Sequence, residues 1–260
     1  HIPIATPIRV EDTTGAGDGY RAGILTGLIL NMTLLDSCRL GAIIGSFVVE
    51  TIGAQTQLFN FEQVRKRFFN PEEFSYAINS TQSVEAMMNF ATQLKKLNIP
   101  SIFDPGQVTP LFQKENLINI LKISDILIGN NHEIEKIKEK SGLSEKTILE
   151  HAKAIIITKG SEGSELAYTD ENNKILKIHI PIATPIRVED TTGAGDGYRA
   201  GILTGLILNM TLLDSCRLGA IIGSFVVETI GAQTQLFNFE QVRKRFFNTF
   251  GHTPSELENI

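Results

Sequence analysis

The sequence predicts an α/β protein with three layers, αβα, around a mostly parallel β-sheet. Short apolar segments alternate with amphipathic segments of ten or more residues, and turn residues separate them. The composition is that of a globular protein, since 42% of the 260 residues are hydrophobic and 20% are charged. Ligands bind such sheets at the carboxyl ends of the strands, so functional residues are expected there.

Each predicted strand is a short apolar segment that ends at a polar or turn residue. In chain order the predicted strands are 74–79, 100–104, 125–129, 154–158, 164–168 and 175–180. The last two are expected to pair as a hairpin. The predicted helices have apolar residues at helical spacing, as Met87, Ala91 and Leu94 do. They cover 84–97, 109–123, 130–140, a segment from Ser144, and then 194–208, 211–229 and 238–247.

One segment of the chain is present twice. Residues 1–70 recur letter for letter as residues 179–248, whereas residues 71–178 occur once. A structural repeat needs only a matching pattern and volume, so packing does not produce identity at every position. A recent duplication, a rearranged gene and an assembly artefact all remain open. We therefore treat residues 1–70 and residues 71–260 as separate parts.

Charge, hydropathy and cysteine content exclude several classes of protein. The net charge of −5 argues against a partner that is a nucleic acid or an anionic membrane. Apolar stretches such as residues 201–208 fall well short of the ~20 residues that a membrane span needs. No basic segment precedes an apolar run, and Cys38 and Cys216 are the same residue in the two copies. We therefore expect a cytoplasmic protein without a disulfide scaffold.

The most informative segment is Asp190–Gly197, which reads Asp-Thr-Thr-Gly-Ala-Gly-Asp-Gly and directly precedes an apolar helix. The small residues Gly193, Ala194 and Gly195 let the backbone approach a ligand closely. The first amide groups of a helix lack internal partners, and the helix dipole favours an anion there. Asp196 would repel a phosphate, so its carboxylate is suited instead to accept a proton from an attacking hydroxyl.

Two other phosphate-binding motifs do not fit the sequence. No Gly-x4-Gly-Lys-Ser/Thr segment occurs, which excludes a P-loop. The Gly-x-Gly-x-x-Gly pattern fails from Gly193 because its sixth position is Tyr198, and it fails from Gly195 because the sixth position is Ala200. The four residues Gly-Ala-Gly-Asp alone are typical of a flexible turn, so the prediction depends on the whole eight-residue segment.

Asp190–Gly197 resembles the signature of the ribokinase-like (PfkB-type) family of sugar and nucleoside kinases. The resemblance extends over about residues 74–260, and segments 102–107, 217–220 and 228–234 are most similar to the prokaryotic adenosine-kinase-like branch. It implies a ribokinase-like fold and transfer of the γ-phosphoryl group of ATP to a hydroxyl of a small sugar or nucleoside. It also implies Mg²⁺ as a cofactor, with a monovalent cation as a further candidate.

The resemblance assigns roles to individual residues. Asp196 becomes the catalytic base, and Gly193, Ala194 and Gly195 become the anion hole. Asp104-Pro105-Gly106 corresponds to a strand-end turn in the substrate half of the cleft, and Gly231-Ala232-Gln233 to the closure of the adenine pocket. Glu133 would act on Mg²⁺ indirectly. The residues assigned to the nucleotide are Asn130, Glu133, Thr158, Gly160, Gly163, Thr191 and Gly231.

Several of these residues also have a structural interpretation. Asn130 is a natural helix cap, and Glu133 would complete a capping box with it. The turn from Thr158 to Gly163 is compatible with a simple strand exit. We expect Lys159 and the run 243–245 to be solvated, and Cys216 to be a packing residue.

The first part of the chain departs from the family pattern. Family members have first strands, a β lid and a glycine-glycine motif before the position of Phe74, and none of these is recognisable here. In their place the duplicate supplies a second set of motif residues, namely Gly15, Ala16, Gly17 and Asp18. We expect the 179–248 copy to occupy the native position. The other copy is expected to pack on a sheet edge, to exchange within a domain-swapped homodimer, or to stay loosely ordered.

Three hypotheses for function remain open at this point. The first is a phosphotransferase with Asp196 as base, although without a lid we expect turnover far below that of a complete relative, since positioning alone supplies ~7–11 kcal/mol. The second is a fragment that binds nucleotide but transfers nothing. The third is a rearranged gene product without function.

Overall fold

The computed structural model describes residues 7–53, 59–60, 63–64, 67, 75–231 and 236–258. The chain divides into two compact units, His1–Phe74 and Ser75–Ile260. The first unit contains the first copy of the repeat, and the second unit contains the single-copy strands together with the second copy.

The described part of the first unit is a pair of helices, α1 (Ala16–Ile29) and α2 (Leu34–Val48). They pack closely through glycines, because a Cβ atom on Gly23 would lie 2.6 Å from the Cα atom of Gly41. Many apolar side chains of the pair remain exposed. They include Leu25, Leu28, Ile29, Leu34 and Leu35.

The second unit begins with alternating strands and helices. In chain order these are β1 (Ala77–Ser80), α3 (Val84–Lys96), β2 (Ser101–Asp104), α4 (Lys114–Ile123), β3 (Ile126–Asn130), α5 (Asn131–Ser141), α6 (Glu145–Leu149), β4 (Ala154–Thr158), β5 (Ser164–Thr169) and β6 (Ile175–Ile180). Four helices follow within the described residues: α7 (Ala194–Ile207), α8 (Leu212–Val226), α9 (Phe239–Phe250) and α10 (Ser255–Glu258).

The strands form one sheet in the order β1-β2-β3-β4-β5-β6. The first four strands pair in parallel, and β5 and β6 continue the sheet as an antiparallel hairpin. Parallel neighbours need crossover connections, which α3, α4, α5 and α6 provide. The predicted mostly parallel sheet and the predicted hairpin are thus confirmed.

Alternate residues of the strands face opposite layers of helices, as the period of two requires. Phe103, Leu127 and Ile155 pack with residues of α3, α4 and α5 on one face. Ile102, Ile128 and Ile156 belong to the cluster on the other face, which includes Tyr198, Ile202 and Leu206 of α7 and Cys216 of α8. The protein therefore has the three-layer αβα arrangement that the sequence predicts.

The structure places the second copy of the repeat against the sheet. In α7, Tyr198, Ile202 and Leu206 are buried, whereas α1 buries only Gly23 and Gly27. The two helices have the same sequence, so the difference comes from the sheet that α7 covers.

Two helix predictions are wrong in detail. The predicted helix 109–123 is a 3-10 helix, Gly106–Leu111, followed by α4. The break brings Phe112, which has extended backbone, into edge contact with Phe103 at a centroid distance of 5.8 Å. The helix predicted to end at 247 continues to Phe250. Gly251, which adopts a left-handed conformation, caps its carboxyl end.

The run 243–245 is not uniformly solvated. Arg245 forms an ion pair of 2.9 Å with Glu228, and its guanidinium lies 3.6 Å from the centroid of the Phe225 ring. The long arginine side chain therefore covers apolar surface while it neutralises a carboxylate. Among the residues described, no helix is both long and apolar enough to cross a membrane.

Candidate active site

Three polar residues of the predicted site lie at the carboxyl ends of adjacent parallel strands. Asp104 ends β2, Asn130 ends β3 and Thr158 ends β4. Asn130 and Thr158 are direct neighbours in the register of β3 and β4. The sheet therefore brings together residues that are far apart in the sequence.

The start of α7 has free backbone donors. Gly193 precedes the helix in a left-handed conformation with φ of 80°, which favours glycine. Within the described residues, the backbone amides of Gly195 and Asp196 have no hydrogen-bond acceptor. These amides and the positive end of the helix dipole form a site suited to an anion. The side chain of Asp196 is exposed beside them.

An ion pair joins α7 to the end of β2. The Nε atom of Arg199 donates to Oδ2 of Asp104 at 2.5 Å, and its Nη2 atom donates to Oδ1 at 2.9 Å. Only 4% of the Asp104 side chain and 19% of the Arg199 side chain are exposed. Burial lowers the pKa of Arg199, but the hydrogen bonds and charge of Asp104, with the charges of Asp196 and Glu133, raise it above its ordinary value.

Sequence reasoning missed Arg199. It lies three residues after Asp196 on the same helix, and this spacing could have indicated a charge partner for the motif. In the structure Arg199 instead binds Asp104, a residue of the single-copy region. Arg199, Asp104, Asp196 and Glu133 are therefore close enough to interact electrostatically at one end of the sheet.

Asn130 and Glu133 form a capping box, as their structural interpretation from the sequence predicts. The Oδ1 atom of Asn130 accepts from the amide of Glu133, and Oε2 of Glu133 accepts from the amide of Asn130, both at 2.8 Å. This arrangement fixes the start of α5 and holds the Glu133 carboxylate at the end of β3.

The turn after β4 depends on two glycines. Gly160 and Gly163 have φ values of 59° and 86°. A Cβ atom on Gly163 would lie 2.2 Å from the carbonyl oxygen of Ile180, so glycine is required there. The expectation for Lys159 is wrong, because its Nζ atom binds Oε2 of Glu165 at 2.7 Å and is not simply solvated.

Asp190 connects the loop before α7 to the loop after α8. Its Oδ1 atom accepts from the amide of Thr192 at 2.9 Å, and its Oδ2 atom accepts from the amide of Gly231 at 3.0 Å. These bonds, with that to the Thr192 hydroxyl, hold the pKa of Asp190 below its ordinary value. Thr191 is exposed beside them, and Ala232 and Gln233 lie outside the described residues.

The first unit repeats the motif without the strand ends. Gly15 has φ of 83°, and Ala16, Gly17 and Asp18 follow it in the first turn of α1. Here Asp18 accepts from Nη1 of Arg21 at 2.8 Å, and both side chains are mostly exposed. The local backbone conformation is thus a property of the segment, whereas the surroundings of Asp196 depend on the second unit.

Potential metal ligands are sparse around the site. Within the described ranges, no group of three or more histidine, cysteine, aspartate or glutamate side chains is arranged to hold a metal ion. A Mg²⁺ ion bound mainly by nucleotide phosphates and water needs only one or two protein carboxylates. The Glu133 carboxylate, which its capping box holds at the end of β3, fits that mode of binding.

Comparison with known proteins identifies the family. A model of the pfkB family of carbohydrate kinases matches residues 1–60 and 59–237. The chain belongs to this family. The nucleoside kinase of Methanocaldococcus jannaschii is 37% identical over 178 residues, which cover 68% of this chain and 57% of that protein.

Solved structures of pfkB-related kinases have the same fold. A nucleoside kinase of Burkholderia thailandensis in complex with inosine matches with a TM-score of 0.66 and 29% identity, over 70% of this chain and 60% of that one. The Methanocaldococcus jannaschii enzyme, described as an archaeal member of the ribokinase family, matches with a TM-score of 0.62 and 34% identity, over 67% of this chain and 56% of that one. The chain thus spans less than two thirds of the length of these relatives, and its fold is ribokinase-like.

Proposed function

We propose that this chain carries the phosphoryl-transfer half of an ATP-dependent kinase whose acceptor is a hydroxyl of a nucleoside or sugar. The observation that carries the proposal is the start of α7, where the unpaired amides of Gly195 and Asp196 lie beside a carboxylate that has no ion pair within the described residues. Free amide donors stabilise a phosphoryl group during transfer, and a free carboxylate accepts a proton.

Each group at the start of α7 has one role in the proposed reaction. The hydroxyl oxygen of the acceptor bonds to the γ-phosphorus of ATP while the bond from that phosphorus to the bridging oxygen breaks. ADP leaves with the electron pair of that bond. Asp196 takes the proton of the hydroxyl, and the amides after Gly193, with Ala194 and Gly195, bind the oxygens of the migrating group.

The remaining predicted residues would bind the nucleotide. Thr158, Gly160 and Gly163 surround a turn at the end of β4, and Asn130 lies in register beside it. Thr191 and Gly231 are on the two loops that Asp190 connects. Glu133 would hold Mg²⁺ through water, since its Oε2 atom already accepts from Asn130. When bound, Mg²⁺ would neutralise charge that develops on the phosphate oxygens.

Among the acceptors, a nucleoside has more support than a simple sugar. The similar proteins from Methanocaldococcus jannaschii and Burkholderia thailandensis are nucleoside kinases, and the second is in complex with inosine. A second candidate function is nucleotide binding without transfer. It requires only the residues assigned to the nucleotide, which all lie in the second unit, and the chain spans 57% and 60% of these two proteins.

The repeat provides a matched control for the test. Asp196→Asn should lower phosphorylation of inosine or adenosine by a factor of 100 or more, in the range of general-base contributions of about 10²–10⁴. Asp18→Asn should leave the rate unchanged. Calorimetric titration with Mg²⁺-ATP should give similar binding for both variants. A fully active Asp196→Asn variant would contradict the assignment of the base, and a wild-type chain that binds ATP without transfer would support the second candidate.

A further inference from the structure

Two arginines of identical sequence context bind different carboxylates. Arg21 binds Asp18, three residues earlier on α1, at 2.8 Å. Arg199 has the equivalent Asp196 three residues earlier on α7, yet it donates two hydrogen bonds to Asp104. The segments are identical, so their intrinsic preferences are the same and the second unit must change the outcome.

The change comes from the end of β2. Asp104 belongs to the part of the sequence that occurs once, so the first unit has no counterpart of it. Its carboxylate is buried and accepts two bonds from one guanidinium, which is a stronger arrangement than a single exposed contact. An exposed ion pair such as that of Arg21 and Asp18 contributes little to stability. An arginine that can reach both carboxylates is therefore expected to bind Asp104.

We propose that Asp104 is a positioning residue that holds Arg199 away from Asp196 and so keeps the Asp196 carboxylate free to accept a proton. This inference rests on the proposed function. A carboxylate bound to a guanidinium has its lone pairs occupied and its charge neutralised, which makes it a poorer proton acceptor. In the described part of the first unit, which has no counterpart of Asp104, the equivalent arginine binds the equivalent aspartate, since Arg21 donates to Asp18.

The neighbouring charges are consistent with this role. Asp104, Asp196 and Glu133 all act on Arg199 electrostatically. Glu133 is already bound to the amide of Asn130 within its capping box, so it competes less for the guanidinium. Once the Asp104 carboxylate is removed, Asp196 still lies three residues before Arg199 on the same helix, a spacing at which side chains meet.

The activity test uses variants of the full chain. Asp104→Asn should lower kcat at least tenfold with little change in the KM for ATP, because Arg199 turns to Asp196. The double variant Asp104→Asn/Arg199→Met should recover most of that loss, since the competing guanidinium is gone. Asp104→Glu, which keeps the charge, should remain within about fivefold of wild type. Arg21→Met serves as the control and should not change the rate.

Each alternative result overturns the positioning role. If the double variant is as slow as Asp104→Asn, then Asp104 acts on the substrate itself. If Asp104→Asn has the wild-type rate, Arg199 does not compete for the base. Should Asp104→Asn fold poorly, the Asp104→Glu variant and the double variant, compared with wild type, still decide between these outcomes.

A crystal structure of Asp104→Asn tests the same point without activity. The guanidinium of Arg199 should lie within hydrogen-bond distance of the Asp196 carboxylate, as Arg21 does with Asp18. A guanidinium that stays at residue 104 or turns to solvent would overturn the inference. This result is independent of the proposed function, which fails separately if the wild-type chain transfers no phosphoryl group.

Discussion

The hydroxyl oxygen of Tyr198 lies 2.7 Å from the Oγ atom of Ser164 in the interior of the second unit. This hydrogen bond joins the first turns of α7 to the first residue of β5, and Ser164 is paired with Thr158 in the register of β4 and β5. The bond therefore links the helix that carries Asp196 to the strand ends that carry the other polar residues of the candidate site.

Removal of this bond should destabilise only one copy of the repeat. We expect Tyr198→Phe to lower the free energy of unfolding by about 1–3 kcal/mol, because the hydroxyl of Ser164 would remain buried without its partner. Tyr20→Phe should change it by less than about 0.5 kcal/mol, since Tyr20 is partly exposed. Urea denaturation followed by circular dichroism measures both. Equal losses in the two variants would show that the copies have equivalent surroundings.

The two cysteines should differ in reactivity although their sequence contexts are identical. Cys216 is fully buried, and burial raises the pKa of its thiol to about 12. Cys38 is partly exposed on α2. The thiolate is the reactive form, so a thiol reagent should modify Cys38 in the native protein and leave Cys216 unmodified until the second unit unfolds.

This measurement needs single-cysteine variants, because the tryptic peptides that contain the two cysteines have the same sequence. Native Cys216→Ser, which keeps Cys38, should react promptly with 5,5′-dithiobis-(2-nitrobenzoate). Native Cys38→Ser should not react, and both should react fully in denaturant. Prompt reaction of native Cys38→Ser would mean that α8 does not cover the sheet.

Much of the fold follows from local patterns in the sequence. The strands Ser101–Asp104 and Ala154–Thr158 are continuous apolar segments with clear stops, and their bounds lie within a residue of those predicted. Caps such as Asn130 also follow from residue type. The 3-10 helix Gly106–Leu111 does not, because its conformation depends on how Phe112 packs against Phe103, a contact between separate elements.

The candidate site also combines features that the local sequence predicts with features that it does not. The left-handed Gly193 and the acidic first turn of α7 are local features, and they appear equally around Gly15 in the first unit. The choice of partner for Arg199 is not local, since the same sequence pairs differently at Arg21. Sequence periodicity does not predict which carboxylate Arg199 binds, because that depends on where the folded sheet places Asp104.

The contribution of Asp190 to the stability of the folded state should depend on pH. Its pKa is held below the ordinary value of 3.8, chiefly by the amide of Thr192 and then by that of Gly231. A carboxyl whose pKa is lower in the folded state stabilises that state above its unfolded pKa, and it loses this effect as the pH falls through the folded pKa. Asp190→Asn should therefore destabilise the second unit at pH 7, and the difference from wild type should shrink below pH 3.8.

Denaturation series at several pH values measure this dependence. Asp12→Asn is the matched variant, because Asp12 accepts from Thr14 and Gly53 in the same way. The first unit should show the same trend in that variant. A difference between Asp190→Asn and wild type that stays constant down to pH 2.5 would contradict the role of the ionised carboxylate.

The glycines at the second position of α1 and α7 should respond differently to replacement by alanine. A Cβ atom on Gly17 would meet no heavy atom within 4 Å, whereas a Cβ atom on Gly195 would lie 2.8 Å from Nη1 of Arg199. Gly17→Ala should therefore stabilise the first unit by up to about 1 kcal/mol through helix propensity. Gly195→Ala should give no such gain, because the guanidinium is held by Asp104 and must shift.

The same pair of variants connects stability to the site. Displacement of the guanidinium in Gly195→Ala should weaken the ion pair with Asp104, and the added methyl group should narrow the space beside the free amides at the start of α7. We therefore expect Gly195→Ala to lose phosphoryl transfer and Gly17→Ala to keep it. Denaturation midpoints and initial rates of both variants measure this contrast. An equal gain in stability with unchanged rates in both would show that Arg199 is not fixed over Gly195.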